Sequence, residues 1–282
     1  MGGAMAANLA ADGLKVVGYD PDPQAAARFT GIGGRLVGFP AAVAEAADAV
    51  IVSVASSDAL HRVISGDRGL HQVGRPGLVV IEASTLPLAD KEAARAALAA
   101  TGARLLDCPI SGTGAQAVTR DLVFLASGDP DALAAVLPLL ERLARSVKLV
   151  GQFGSGSRIK YIANLLVAIN NVATAEAMVL ATRADLDPAL VYDVLYESAA
   201  TSRIFQLRAP LMIEGRYQPP TARISMFAKD LDIIGSFADD VGSPTPLLSA
   251  VRPIYDAAMA QGMAELDGAA VYLIMQQMKA GE

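Results

Sequence analysis

The sequence predicts an α/β domain built on a mostly parallel sheet, followed by an all-α domain. Three observations carry that reading. Short β-rich runs alternate with Ala-rich helical stretches from residue 1 to about 150, and the strand rhythm stops after Gly151. A chain of 282 residues also exceeds one typical domain. The glycine-rich stretch Gly151-Gln-Phe-Gly-Ser-Gly156 reads as the hinge, which divides the chain into residues 1–153 and 154–282.

Each element follows from local pattern. Leu14–Tyr19, Ala49–Val54 and Leu78–Ala83 read as strands, as do Arg104–Cys108, Leu122–Ser127 and Val147–Val150. These are short apolar runs bounded by turn residues, as buried parallel strands are. Between them the spacing predicts helices at Asp22–Phe29, Ala41–Ala47 and Pro87–Ala100. Ligands of such a sheet bind at the carboxyl ends of its strands. In the second domain Ser157–Ala184 reads as one long helix without proline. Further helices are expected at Pro188–Ala200, Met226–Val241, Pro246–Gln261 and Gly268–Met278. Pro188 and Gly242 supply a start and a stop signal.

Composition bounds the function. Hydrophobic residues make up 53% of the chain and charged residues 18%, unlike the balance of a disordered chain. The apolar excess fits either a large internal core or helix faces buried against partner subunits. A net charge of −6 and the lack of any Lys/Arg run argue against nucleic-acid binding through a basic patch. The single cysteine, Cys108, permits no intramolecular disulfide and fits a reducing compartment. Within its apolar stretch it reads as a buried structural residue. No uninterrupted apolar window reaches about 18 residues, so no membrane span is expected, and the cytoplasm is the expected location. His61 and His71 have no Cys/His cluster around them, so no metal site is expected.

Two segments point to chemistry. The chain opens on a helix start of small residues, Met1-Gly2-Gly3-Ala4-Met5-Ala6-Ala7-Asn8-Leu9, and Tyr19-Asp20 closes the first strand. An acidic residue there, about twenty residues beyond a glycine-rich turn, takes the ribose hydroxyls of a dinucleotide. It would repel a 2′-phosphate, which favours NAD over NADP. The other reading of Asp20 is a residue that opens the next helix. The sharper constellation is Gly154-Ser-Gly-Ser-Arg-Ile-Lys160-Tyr-Ile-Ala-Asn164. Glycines precede a helix that carries Lys160 and Asn164 on one face. A lysine in an otherwise apolar helix needs a partner or a task. Partly desolvated, it loses basicity and can exchange a proton near neutral pH. The competing reading is a lysine that snorkels from a helix end. Ser111-Gly-Thr-Gly114 is, by itself, a turn of small residues.

Together these segments resemble the β-hydroxyacid dehydrogenases of the 3-hydroxyisobutyrate dehydrogenase type, which are 6-phosphogluconate dehydrogenase-like. Residues 1–9 look like the tail of the family pattern G-L-G-x-M-G-x-x-M-A-x-N-L. Asp107-Cys-Pro-Ile-Ser-Gly-Thr-Gly114 resembles D-A-P-V-S-G-G, and Gly154–Asn164 matches G-x-G-x-x-x-K-x-x-x-N. Ser84-Thr85, Lys229-Asp230-Leu231 and the pair Gly262 and Asp267 match the segments S-T, K-D-L and G-x-x-x-x-D.

The resemblance implies a Rossmann-type first domain that binds NAD, with NADP less favoured. It implies reversible oxidation of a small β-hydroxy acid, such as 3-hydroxyisobutyrate, or glycerate with tartronate semialdehyde. Lys160 would be the general acid/base. Ser111, Gly112 and Asn164 would hold the substrate, with Thr113 standing where the family has a glycine. Gly2, Asp20, Ser84, Thr85 and Lys229 would serve the cofactor, and a homodimer or homotetramer is implied. On this match Gly2 is the third fingerprint glycine, which lets its helix pack close to the sheet. The strand and two glycines expected before it are missing. Without that central strand, neighbouring backbone N–H and C=O groups would lie buried and unpaired. About ten further residues are therefore expected ahead of Met1 in the natural protein. Sequencing of its mature N-terminus tests this, and Met1 at the start of a stable, active natural protein would contradict it. The rival expectation is a dehydrogenase-like binding or assembly module without turnover; the retained Lys160, Asn164 and Ser111 weigh against it.

Overall fold

The computed structural model describes residues 1–279. The chain opens with α1 (Gly2–Ala11), β1 (Val17–Gly18), α2 (Pro23–Gly31), β2 (Arg35–Leu36) and α3 (Pro40–Ala46). Asp22 caps α2 by accepting the Gln24 N–H, and Pro23 fills the first turn, where its missing N–H leaves no bond unmade. The sheet continues with β3 (Ala49–Val52), α4 (Ser57–Ser65), β4 (Val79–Glu82), α5 (Leu88–Ala99) and β5 (Arg104–Asp107). These three strands pair in parallel in the order β3-β4-β5. All four residues of β4 are buried. Val79 and Ile81 belong to one apolar cluster and Val80 to another, so the strand is covered on both faces.

The array is split. β1 and β2 form their own parallel pair, and among the described residues no ladder joins β1 to β3. The strand expected over Leu14–Tyr19 is cut to Val17–Gly18 because β2 offers it partners only there. A third sheet follows. β6 (Ile110–Ser111) leads into α6 (Gly114–Val118), then β7 (Val123–Ala126), α7 (Pro130–Glu141) and β8 (Ser146–Leu149). β7 pairs antiparallel with β6 and parallel with β8. Local pattern did not reveal β2, β6, α4, α6 or α7. A two-residue strand has no period to read, and α6 is set by one capping box between Thr113 and Gln116.

Packing divides the chain into units Met1–Lys160 and Tyr161–Glu282. The sequence places the division between 153 and 154. It falls later because the first turn of helix α8 (Ser155–Arg183) is bonded to the first unit: Gly156 N–H donates to Ser127 Oγ and Ser157 N–H to Asp107.

The second unit adds α9 (Pro188–Tyr196), α10 (Arg203–Glu214), α11 (Ile224–Asp240), α12 (Pro246–Ala260) and α13 (Val271–Gln277). By length and composition α8 could cross a membrane. Tyr161, Ala168, Val172, Ala175 and Met178 of this helix instead lie in the apolar core of the second unit. The ring of Phe227 stacks on Tyr255 with centroids 5.2 Å apart.

Asp267 ties this unit together. It is 1% exposed and caps the 3₁₀ turn Gly268–Ala270 by accepting the Ala269 N–H at 2.9 Å. It also accepts from Thr221 N–H at 2.7 Å and Thr221 Oγ at 2.9 Å, and pairs with Arg208. Burial alone would raise its pKa. The Arg208 charge and these donors outweigh burial and hold it below the ordinary Asp value. A carboxyl lowered in the folded state stabilises it above the unfolded pKa, and that contribution is lost as pH falls through the folded one. The urea midpoint is therefore expected to drop below about pH 4. Asp267→Asn should lower the midpoint at pH 7 and flatten this acid dependence.

Candidate active site

The carboxyl edge of the parallel sheet sets two charges side by side. Glu82 ends β4, Asp107 ends β5, and the two are register partners. Adjacent strands lie about 4.8 Å apart, so two buried carboxylates there repel strongly unless a cation joins them. Lys91 supplies it. On α5 it shares the buried stripe with Ala94 and Leu98. Its Nζ lies 2.6 Å from Glu82 Oε2 and 2.8 Å from Asp107 Oδ1, and donates to the Ser84 carbonyl at 2.7 Å. All three side chains are fully buried. Burial by itself pulls the lysine pKa down; the carboxylates of Glu82 and Asp107 overcome this and raise it above the ordinary lysine value.

From this clasp the bonds run to α8. The second oxygen of Asp107 accepts the Ser157 N–H at 2.8 Å, and Ser157 Oγ donates to the first at 2.7 Å. Gly156 must be glycine, because a Cβ there would lie 2.3 Å from the Leu125 carbonyl oxygen and 2.9 Å from that of Asp107. Next to Asp107, Cys108 is buried and its thiol is pushed up to about 12, chiefly by burial. That thiol is inert, in keeping with the structural role expected of it.

The residues singled out in the sequence fall into three groups. Gly2 opens α1, and a Cβ there would meet only Ser53 Cβ at 3.8 Å. Asp20 stands exposed just past β1 and accepts the Asp22 N–H at 3.0 Å, while the capping of α2 belongs to Asp22. Ser84 is buried, and its hydroxyl accepts the Val54 N–H at 2.8 Å, fastening the end of β4 to that of β3. Thr85 beside it is half-buried.

The second group is the turn after β5. Ser111 is exposed at the end of β6. Gly112 has φ 143°, and a Cβ there would meet Leu122 Cδ2 at 2.6 Å, so this backbone admits only glycine. Thr113 is committed to the capping box: its Oγ accepts from Gln116 N–H at 3.3 Å and its own N–H donates to Gln116 Oε1 at 3.0 Å. The third group lies on the helices. Lys160 is half-buried in the second turn of α8, and Asn164 follows one turn later. Asn164 Nδ2 donates to Asp230 Oδ2 at 2.7 Å, and Lys229 pairs with the other oxygen of Asp230 at 3.0 Å. Among the described residues no cluster of His, Cys, Asp or Glu is fit to hold a metal ion.

Sequence reasoning passed over Lys91 and Glu82, and named Asp107 only as the start of a segment. The signal was present. Lys91, Ala94 and Leu98 fall at helical spacing on one face, and a lysine in phase with buried alanine and leucine demands a buried acid.

Residues 1–151 match the model described as the NAD binding domain of 6-phosphogluconate dehydrogenase. Residues 154–275 match the one described as NAD-binding of NADP-dependent 3-hydroxyisobutyrate dehydrogenase. The chain belongs to the β-hydroxyacid dehydrogenase family. L-threonate dehydrogenase of Escherichia coli O6:H1 is 33% identical over 97% of this chain and 91% of its own length. Human mitochondrial 3-hydroxyisobutyrate dehydrogenase is 32% identical over 98% of this chain and 84% of its own. The solved structure of Mycobacterium tuberculosis 3-hydroxyisobutyrate dehydrogenase with L-serine superposes with a TM-score of 0.88 at 29% identity, covering 98% and 96% of the two chains. In the family's terms the first unit is the NAD(P)-binding, Rossmann-type part, and a helical domain follows it.

The clasp itself is open to measurement. Lys91→Met leaves two buried carboxylates facing each other and should cost about 3–5 kcal/mol in urea unfolding. Because the lysine pKa is raised on folding, its contribution is complete below about pH 10. The parent should therefore lose this share of its stability only as pH climbs through the folded value.

Proposed function

We propose that this β-hydroxyacid dehydrogenase oxidises a short β-hydroxy acid reversibly, with Lys160 taking the hydroxyl proton and returning it in the reverse direction. The observation that carries the reading is the placement of Lys160. It is half-buried, one turn into a helix whose start is bonded to a buried carboxylate, with a tethered asparagine one turn beyond.

The residues at the sheet edge fit a dinucleotide. The exposed Asp20 carboxylate lies just past a parallel strand, where ribose hydroxyls are held. Its charge favours NAD over NADP. Gly2 opens the adjacent helix, and Thr85 and Lys229 would add polar contacts. The buried hydroxyl of Ser84, held on Val54, would act by shaping the strand end. The bound nicotinamide would supply the hydride acceptor.

For the substrate, the exposed Ser111 hydroxyl and the Gly112 backbone would hold the carboxylate. Asn164, its amide donor engaged by Asp230, would turn its carbonyl to a substrate hydroxyl. Thr113 acts through the backbone it caps. The names of the relatives support a short hydroxylated carboxylate, with threonate, 3-hydroxyisobutyrate and glycerate as first compounds to assay. Exposed Leu166 and Leu180 on α8, with Leu190 and Val194 on α9, support a homodimer or homotetramer. The single cysteine supports a cytoplasmic enzyme.

The test combines calorimetry, kinetics and sedimentation on one preparation. NAD should bind more tightly than NADP, and the protein should sediment as an oligomer. Lys160→Ala should lower kcat roughly 100- to 10,000-fold while leaving NAD binding near the parent's. A Lys160→Ala enzyme with parental kcat would remove the lysine from this role.

A further inference from the structure

We infer that the buried Glu82–Lys91–Asp107 clasp positions the catalytic apparatus: through Asp107 it sets the first turn of α8, and with it Lys160, against the strand that leads to the Ser111-Gly112 turn. The inference rests on the reading of Lys160 proposed above. Asp107 occupies a singular place in the chain. It ends β5, is followed closely by Ser111, and its carboxylate grips Ser157, which closely precedes Lys160. Its own peptide groups are locked as well, with its N–H and C=O both bonded to Ser127 at 2.9 Å. Ser127 Oγ in turn accepts the Gly156 N–H at 3.0 Å. Two of the N–H groups that the start of a helix leaves without internal partners are thus taken by groups of the sheet edge.

The chemistry of the clasp suits this task. An ionised carboxylate offers acceptors from both oxygens, and negative charge at a helix N-terminus is favoured. A fully buried carboxylate keeps that charge only beside a cation, and Lys91 is that cation. Glu82 and the Ser84 carbonyl hold Lys91 from two further directions, so it cannot swing away. Stability alone does not call for such a cluster, since well-packed apolar residues serve as well. Ions and hydrogen bonds add direction. The backbone contact at Gly156 removes the remaining slack by bringing α8 directly onto β5 and β7. A catalytic group displaced by about 1 Å can lose roughly 100-fold in rate, so a group one helical turn from this anchor is sensitive to it.

Two variants test the inference with the full chain. Asp107→Asn keeps the shape and removes the charge; Ser157→Ala keeps every charge and deletes one bond to Asp107. Rates are referred to the folded fraction, with NAD binding measured by calorimetry alongside. Asp107→Asn is expected to lower kcat about 10- to 100-fold, and Ser157→Ala about three- to tenfold. Both should bind NAD within about twofold of the parent. If Asp107→Asn does not fold, Ser157→Ala carries the test. Variants that melt earlier yet keep the parental kcat per folded molecule would make the clasp a stabilising element only and overturn the inference. Lys160→Ala, run in parallel, separates the two ideas. An inactive Lys160→Ala beside fully active clasp variants sinks the clasp alone; an active Lys160→Ala sinks the reading of Lys160 and the clasp with it.

Discussion

A single buried cation governs the edge where this protein's chemistry is proposed to occur. The parallel register of β4 and β5 brings Glu82 and Asp107 together at the strand ends, on the face shared by Val80, Leu105 and the buried stripe of α5. Without Lys91 that arrangement would be self-repelling, and the strands would have to end elsewhere or open to water. With it, the two strand ends, α5 and the segment after Ser84 become one bonded assembly. The loop at Ser84 is drawn in further by the bond from Val54, which adds β3 to the same assembly.

The first turn of the long helix is bonded to that assembly. α8 spans 29 residues, yet its first turn is governed by two features outside it, the Asp107 carboxylate and the close backbone approach at Gly156. Beyond Lys160 the same helix supplies the core of the second unit through Tyr161, Ala168, Val172 and Met178. One element therefore answers to polar bonding at its start and to apolar packing for most of its length. The apolar composition that would let it span a membrane reflects this second role.

Several polar side chains that look available in the sequence are already engaged. The Ser84 hydroxyl accepts the Val54 N–H, and Thr113 Oγ accepts the Gln116 N–H in the first turn of α6. Asn164 and Lys229 converge on Asp230. Each of these side chains has a partner within the protein. A family motif identifies which residue types are present; the partners of each side chain govern what it has left to offer a ligand.

The amino-acid sequence by itself determined the class of fold, the strands expected at Ala49–Val54, Leu78–Ala83 and Arg104–Cys108, each of which the structure trims by one or two residues, and the long helix after the glycine hinge, because periodicity and turn residues are local properties. It also marked Lys160, Asn164, Ser111 and Asp20 as the residues of interest, through spacing and motif. It did not reveal the short strands Arg35–Leu36 and Ile110–Ser111, which exist only because a partner strand lies alongside. Tertiary structure alone decided that α8 belongs in part to the first unit. It also decided that Lys91 and its two acids underlie the whole edge. The reason is physical: Glu82, Lys91 and Asp107 are separated along the chain, and their charges interact strongly only once the parallel ladder and the buried face of α5 bring them together out of water.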